Sequence, residues 1–348
     1  MSGGVDSSVT AYLLKKAGHD CIGCTMKLYD NDETITEDKT CCSLSDVDDA
    51  RSVANRLDMD YYVLNMKEEF KAHVIQPFID CYLCGQTPNP CIECNKHLKF
   101  GRLLQKANEL GYDDIATGHY ARIEKTGDKY VLKKALDPSK DQSYVLYSLT
   151  QDQLAHIHFP LGELTKSEAR DIAEANGFVN AHKSDSQDIC FVPDGDYAGF
   201  IESHLGKSVP KGNFVDKEGN VIAENKGIIH YTIGQRRGLG IPAESRLYVI
   251  SVDPETNQVV LGSNDDLFSR EVHIKEFNWI AGGDIPETFN CSAKIRYRHK
   301  EQPCTVTYNG NGEATIIFDE PQRAITPGQT AVLYDGDIVL GGGVIVNK

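Results

Sequence analysis

The chain has 348 residues, a formal net charge of -15 at pH 7 (36 Lys+Arg against 51 Asp+Glu) and 11 cysteines. That length predicts two or three domains, and with no apolar run of membrane-spanning length and no signal peptide a soluble, cytosolic protein is expected. Such a compartment turns the cysteines toward reduced thiols, metal ligation or sulfur chemistry, and the acidic balance excludes nucleic-acid binding unless cations gather in local patches.

The first predicted element is a loop, Ser2-Gly3-Gly4-Val5-Asp6-Ser7-Ser8, running into the apolar-periodic Val9 to Lys16. Two glycines let the backbone approach an anion, and the serines and aspartate sit at a helix N-terminus, where exposed N–H groups and the dipole favour phosphate. A Walker loop is excluded, since GxxxxGK[ST] needs a lysine here. SGGVDS resembles the pyrophosphate-binding loop of the ATP pyrophosphatases, which activate a carbonyl oxygen as its adenylate. A loop of this kind follows a buried parallel strand, and only Met1 precedes it here, so the chain is expected to be incomplete at its N-terminus.

Gly18 stops the first helix, and Asp20 to Met26 reads as a short buried strand. An acidic stretch from Asp30 to Asp49 leads to a capping box, Ser45 with Asp48, opening a helix to Leu57. Tyr61–Asn65 is a strand, 67–81 a helix and 95–110 another, with apolar Leu98, Leu103, Leu104, Ala107 and Leu110 on one face. Ile115 to Thr117 is a strand ending in Gly118-His119-Tyr120. Strands alternating with helices predict a doubly wound parallel α/β sheet, with ligands at the carboxyl ends of its strands; the opening loop, Met26 and Gly118 share that edge. Arg122 to Leu132 is a hairpin around Thr126-Gly127-Asp128, and Thr165 with Glu168 caps a helix ending near Gly177. From about Lys207 short β runs alternate with turns such as Glu218-Gly219-Asn220, Asn309-Gly310-Asn311-Gly312 and Asp335-Gly336-Asp337, an all-β half in two units. The expected domains are 1–206, 207–268 and 269–348.

Candidate basic patches are Lys96, His97, Lys99 and Arg102; Lys133 and Lys134; Arg236 and Arg237; and Arg296 to Lys300, each of which taken alone is a solvated face. Three CxxC pairs occur. Cys21 and Cys24 lie in the first strand on opposite faces, so a structural role fits them. Cys41 and Cys42 are uninformative, and Cys291 and Cys304 read as packing residues. Cys81, Cys84, Cys91 and Cys94 could form a four-cysteine zinc site, though the span between pairs is short for a zinc ribbon. Pro88 and Pro90 would hold Cys91 and Cys94 extended just before a helix, where the N-terminal field favours a thiolate suited to a nucleophile or an iron–sulfur ligand. Cys190, beside Ile189 and Phe191, reads as core on spacing alone.

SGGVDSS, TPNPCIECNKHLKFG, ATGHYAR, KDQSYVLYSL, SDSQDICF, YTIGQRRGLGI and ITPGQTAVLYDGDIVLGGG, taken in order along nearly the whole chain, closely resemble the tRNA-specific 2-thiouridylases. The resemblance implies an adenine nucleotide α-hydrolase-like catalytic domain, a small β hinge domain and a C-terminal β-barrel. The implied reaction is ATP-dependent sulfuration at C2 of the wobble uridine of tRNA, with Mg²⁺ on the phosphates. It implies ATP binding by Ser2, Gly3, Gly4, Val5, Asp6, Ser7, Met26 and Gly118. Cys94 would be the nucleophile and Cys190 the persulfide carrier, the two forming a transient disulfide. Asn89, Pro90 and Cys91 would hold the target base, and His119, Lys140, Asp141, Gln142, Arg296, Tyr297 and Gln329 would touch tRNA. Glutamate, glutamine and lysine acceptors are the implied substrates, with a cysteine desulfurase or sulfur-relay protein as donor.

The chemistry is coherent: an amide-like oxygen leaves poorly until adenylated, and thiolates suit sulfur delivery and S–S cleavage near neutral pH. The base must leave its stack to be reached. Many members of the family have aspartate where this chain has Cys91, which opens another reading, a [4Fe–4S] cluster held by Cys91, Cys94 and Cys190. Two further alternatives stay open: an adenylating synthetase acting on a small molecule, and a zinc-stabilised RNA-binding module without catalysis.

Overall fold

The computed structural model describes residues 1–29, 44–184, 189–242 and 245–347. Most of the acidic stretch, with Cys41 and Cys42, and the Asp185 to Asp188 part of the SDSQDICF run lie outside them.

The N-terminal part alternates helix and strand as its periodicity requires. Helix α1 (Val5–Lys16) is followed by β1 (Gly23–Lys27), α2 (Leu44–Arg56) and β2 (Tyr61–Asn65). Strand β1 starts two residues past Cys21, so the first CxxC pair does not share a strand, and Ser45 lies inside α2 rather than ahead of it. A helical run, α3 (67–83), and a second, α4 (90–109), each contain a π-helical segment, Lys71–Ile75 and Cys94–Arg102. Then come β3 (Ile115–Ala116), the hairpin β4 (Ala121–Thr126) and β5 (Lys129–Lys134), β6 (Ile157–His158), α5 (Lys166–Ala175) and α6 (Tyr197–Leu205). The predicted box at α5 is formed: the Thr165 hydroxyl accepts from the Glu168 amide and the Glu168 carboxylate accepts from Thr165. Strands β1 and β2 pair in parallel, as do β3 and β6, which is the expected parallel α/β arrangement carried by two short ladders.

The β half forms two sheets. Strands β7 (Gly212–Val215), β8 (Val221–Asn225), β9 (Tyr248–Asp253) and β10 (Gln258–Gly262) make a four-stranded sheet in the order β8-β7-β10-β9. Strands β11 (Phe268–Asn278), β12 (Thr288–Lys294), β13 (Gln302–Gly310), β14 (Glu313–Arg323), β15 (Thr330–Asp335) and β16 (Ile338–Val346) follow in antiparallel order, and pairing of β11 with β16 closes them into a six-stranded barrel.

The units share cores rather than touching at rims. One apolar cluster joins Phe70, Phe78, Cys94 and Phe191 to Phe214 and Val249 of the four-stranded sheet and to Tyr231 on the connection between β8 and β9. A second joins Phe100, Tyr144 and Leu146 to Ile280, Val332 and Tyr334 of the barrel. The hairpin is also annexed by the barrel, since β5 pairs with β16 at Lys133 and Ile338. Arg122 binds Asp337 at 2.7 Å, Lys134 binds Glu301 at 2.7 Å and Lys133 binds Glu124 at 2.7 Å. The Lys133–Lys134 patch is therefore spent on carboxylates and is no open basic face.

Candidate active site

The glycine loop is built by backbone constraint. Gly3 has φ +72°, and a Cβ there would lie 2.4 Å from the Asp46 carbonyl oxygen, so only glycine lets α2 close against the loop. Gly4 is the N-cap of α1 with no side-chain cap. The Ser7 and Ser8 hydroxyls turn back on the Gly4 carbonyl at 3.1 and 3.0 Å, and the Ser2 amide donates to the Ser7 oxygen at 3.1 Å. Amides in the first turn of α1 have no intrahelical acceptor, which makes this end an anion site.

Groups from far along the chain brace it. Lys166 grips both oxygens of Asp6 at 2.7 and 2.8 Å, and the Tyr120 hydroxyl donates to Asp6 at 2.9 Å. Buried Asn180 donates to the Gly3 carbonyl at 2.8 Å and to the Ser8 oxygen at 2.9 Å. Lys183 bridges Asp46 and Asp49 of α2, which raises its pKa against the opposing effect of burial. Gly118 lies against the start of α1, where a Cβ would be 2.9 Å from that of Asp6 and 3.0 Å from the Ser7 amide. Met26 is half-buried in β1 beside the first core cluster. The loop and Gly118 thus meet at the start of α1, and Met1 ties the loop to β1 through Cys24 and Thr25. Sequence reasoning missed Lys166, Tyr120 and Asn180. Tyr120 stood in the ATGHYAR run and Lys166 beside a recognised cap, whereas Asn180 gave no signal.

The second half of the site is the segment ahead of Cys94. Asn89 is the N-cap of α4, its Oδ1 accepting from the Cys91 amide at 3.2 Å, and Pro90 is the first helical residue. Cys91 and Cys94 are therefore helical, which corrects the extended reading: proline at N1 starts a helix as readily as it holds a strand, because its missing N–H has no partner to lose there. Cys91 is exposed, while Cys94 is buried and begins the π-helical segment, a widening common where a helix re-aims side chains at functional sites. Cys190 is half-buried and packs on the cluster that contains Cys94, with its carbonyl held by the Tyr29 hydroxyl at 3.0 Å. The two thiols are not bridged in this structure.

All three units meet on residues 85–88. A Cβ on Gly85 (φ +67°) would lie 2.9 Å from Val252, and the Thr87 hydroxyl pairs with that of Thr232 at 3.3 Å. From the barrel, Pro327 accepts from the Thr87 amide at 2.9 Å and Gln329 donates to the Thr87 carbonyl at 2.8 Å. Tyr297 of the barrel donates to the Asp141 carbonyl at 3.2 Å, and its phenol pKa is raised by burial, then by Asp141 and Cys91.

The remaining predicted contacts divide. Asp141 and Gln142 turn inward: Asp141 accepts from Ala135, Ser143 and the Ser143 hydroxyl, and Gln142 accepts from the Tyr120 amide. Lys140 stays half-exposed on the same loop. Arg296 donates to the Arg323 carbonyl at 3.3 Å. His119 is not the surface residue its polarity suggests; it is buried between Phe100 and Phe159 and bonded to Thr117 at 2.7 Å, with burial, then Lys99, holding it well below the ordinary histidine range.

Among the described residues no three His, Cys, Asp or Glu side chains are grouped to hold a metal ion. Neither the zinc site at Cys81, Cys84, Cys91 and Cys94 nor the cluster site at Cys91, Cys94 and Cys190 is assembled. Burial, then Cys84, pushes the Cys81 thiol up to about 11, so it is protonated near neutral pH. No helix among the described residues is long and apolar enough to cross a membrane.

Comparison with known families places three models along the chain: one described as a tRNA methyl transferase HUP domain at residues 1–194, one as a tRNA methyl transferase PRC-barrel domain at 198–263, and one as an aminomethyltransferase beta-barrel domain at 269–345. Among curated proteins, the chain is 52% identical over 348 residues to the tRNA-specific 2-thiouridylase MnmA of Clostridioides difficile (strain 630), covering 99% of this chain and 96% of that one. It is 51% identical over 349 residues to the protein of the same name from Lachnoclostridium phytofermentans, covering 99% and 98%.

Proposed function

The chain belongs to the tRNA-specific 2-thiouridylase family, and on that premise we propose how its three units combine in one reaction. The enzyme is an ATP-using tRNA-uridine 2-sulfurtransferase. The observation that carries the reading is the convergence of all three units on residues 85–88, directly ahead of the helix that bears Asn89, Pro90, Cys91 and Cys94. A base drawn out of an anticodon loop would be received where catalytic unit, central sheet and barrel meet, which suits a large RNA substrate better than a small molecule.

Ser2 to Ser7, with Gly118 and Met26, would seat ATP, the helix-end amides taking its phosphates. Mg²⁺ would supply charge neutralisation there. Asp6 is the carboxylate at hand, and Lys166 and Tyr120 already engage it, so the ion would depend mainly on phosphate oxygens and water. The uridine O2 attacks the α-phosphorus and pyrophosphate leaves, so that O2 carries the AMP group and C2 is activated. The terminal sulfur of a Cys190 persulfide attacks C2 and AMP leaves, giving a C2–S–S–Cys190 link. The Cys94 thiolate then attacks the Cys190 sulfur, releasing 2-thiouridine and leaving a Cys94–Cys190 disulfide, which an external thiol reduces by two electrons. Both cysteines border one apolar cluster, which supports the pairing. A cysteine desulfurase or relay protein would reload Cys190, and glutamate, glutamine and lysine tRNAs would be the substrates.

The test is ATP-to-pyrophosphate turnover with and without tRNA, followed by mass spectrometry of the nucleosides. Turnover should require tRNA, and Cys94→Ala should still bind ATP yet produce no 2-thiouridine. Thiolation by that variant at the wild-type rate would remove Cys94 from the mechanism.

A further inference from the structure

The YTIGQRRGLGI run is left over from the reaction above, and its geometry is that of a braced display. Gln235 ties the turn down: its Oε1 accepts from the Thr232 amide at 3.0 Å, its Nε2 donates to the Arg237 carbonyl at 3.1 Å, and its own carbonyl accepts from Val249 at 3.0 Å. Gly234 (φ +87°) closes the turn so tightly that a Cβ would lie 2.8 Å from Ala324 of the barrel and 3.5 Å from an Arg323 nitrogen. Arg236 and Arg237 leave that turn exposed.

The barrel adds two more guanidinium groups to the same seam. Arg323 stacks over Tyr248 at 5.3 Å and donates to Asn264 at 3.1 Å, and Arg296 donates to the Arg323 carbonyl. Among the described residues none of these four arginines has a carboxylate partner. Elsewhere in this acidic chain cations meet carboxylates readily, as at Lys134, Arg122, Lys183 and Lys217. Gathering unpaired like charges is unfavourable in the isolated protein and is relieved by a polyanion, for which the planar guanidinium fork is the best-matched side chain. The seam also flanks the site: Thr232 reaches Thr87, and Tyr297, next to Arg296, reaches Asp141.

We infer that Arg236, Arg237 and Arg323 extend the tRNA contact expected of Arg296 into one phosphate track across the central sheet and the barrel, carrying the sugar–phosphate backbone of tRNA past the start of α4. The inference rests on the tRNA reading and extends it to a unit for which that reading assigned no contact.

The experiment titrates an unmodified tRNA transcript with a wobble uridine, without ATP, over a series of KCl concentrations. It compares wild type, Arg236→Ala/Arg237→Ala, and Lys211→Ala/Lys217→Ala, which removes the same charge from lysines already paired with Glu224 and Asp266. Each lost phosphate contact lowers the slope of log K against log salt by about 0.7 to 0.9, so the arginine double variant should lose between about 1.4 and 1.8 in slope. Its affinity near 0.15 M salt should fall about tenfold or more, with KM for tRNA raised and kcat at saturation kept, while the lysine control matches wild type. If wild type binds and thiolates the transcript but the arginine variant keeps its slope and affinity, the phosphate track is wrong. If wild type does neither, the tRNA reading itself fails.

Discussion

Lys166→Met removes the ammonium that grips Asp6 and keeps an unbranched stem of similar length, so the packing of α5 is nearly conserved. Two charge-assisted hydrogen bonds disappear, at 2.7 and 2.8 Å. Hydrogen bonds to charged groups contribute about 1.5–3 kcal/mol when buried. The Asp6 side chain is 33% exposed and keeps the Tyr120 hydroxyl, so water recovers part of the loss and about 1–2 kcal/mol is the reasoned cost. At about 2–4 °C per kcal/mol for a unit of this size, the melting temperature should drop by roughly 2–8 °C. Released from Lys166, Asp6 would place its charge closer to the incoming phosphates, so ATP affinity by calorimetry should fall about tenfold, or roughly 1.4 kcal/mol. Lys166→Arg should recover part of both. A Met variant that melts with the wild type and binds ATP equally would show that the Asp6 brace is incidental to the loop.

Other outcomes follow from the packing of single residues. Gly3→Ala must force a left-handed residue and a 2.4 Å contact with Asp46, a cost of about 2–5 kcal/mol, whereas Gly4→Ala, whose nearest neighbour is Ser2 at 3.6 Å, should be tolerated; thermal melts of the pair decide, and equal stability would refute the packing argument. Because His119 is held neutral in the fold, only the unfolded chain gains its proton as pH drops below about 6.5, and stability is lost at up to about 1.4 kcal/mol per pH unit from there. Urea titrations at pH 7.5, 6.5 and 5.5 should show that slope flattened in His119→Phe; an unchanged slope would mean His119 is not the group responsible. Iodoacetamide at pH 8 should label exposed Cys84 well before Cys81, whose thiol is pushed to about 11, and peptide mass spectrometry finding equal rates would contradict the burial of Cys81.

Local chemistry was legible wherever one segment decides its own shape. The strand at Tyr61–Asn65 and the Thr165–Glu168 box were readable because a run of aromatic and β-branched residues and a capping pair are both local signals. Asn89-Pro90 misled the reading of Cys91 and Cys94, since proline is compatible with both an extended segment and the first helical position, and the Asn89 cap settles it. The π-helical start at Cys94 left no trace in composition. The bracing of Asp6 by Lys166 and the neutralisation of Lys134 by Glu301 join residues more than a hundred positions apart, beyond the reach of any periodicity. The buried state of His119 was hidden for the same reason, as its walls, Phe100 and Phe159, come from two other elements.

The β4–β5 hairpin belongs by sequence to the nucleotide unit and by pairing to the barrel. An engineer wishing to graft a different C-terminal module onto this enzyme could not cut at the connection before β11, because the old module would leave Arg122 and Lys134 facing water without Asp337 and Glu301. Hairpin and barrel must be exchanged as one cassette, so chimaeras within the family should succeed or fail according to whether both came from the same parent.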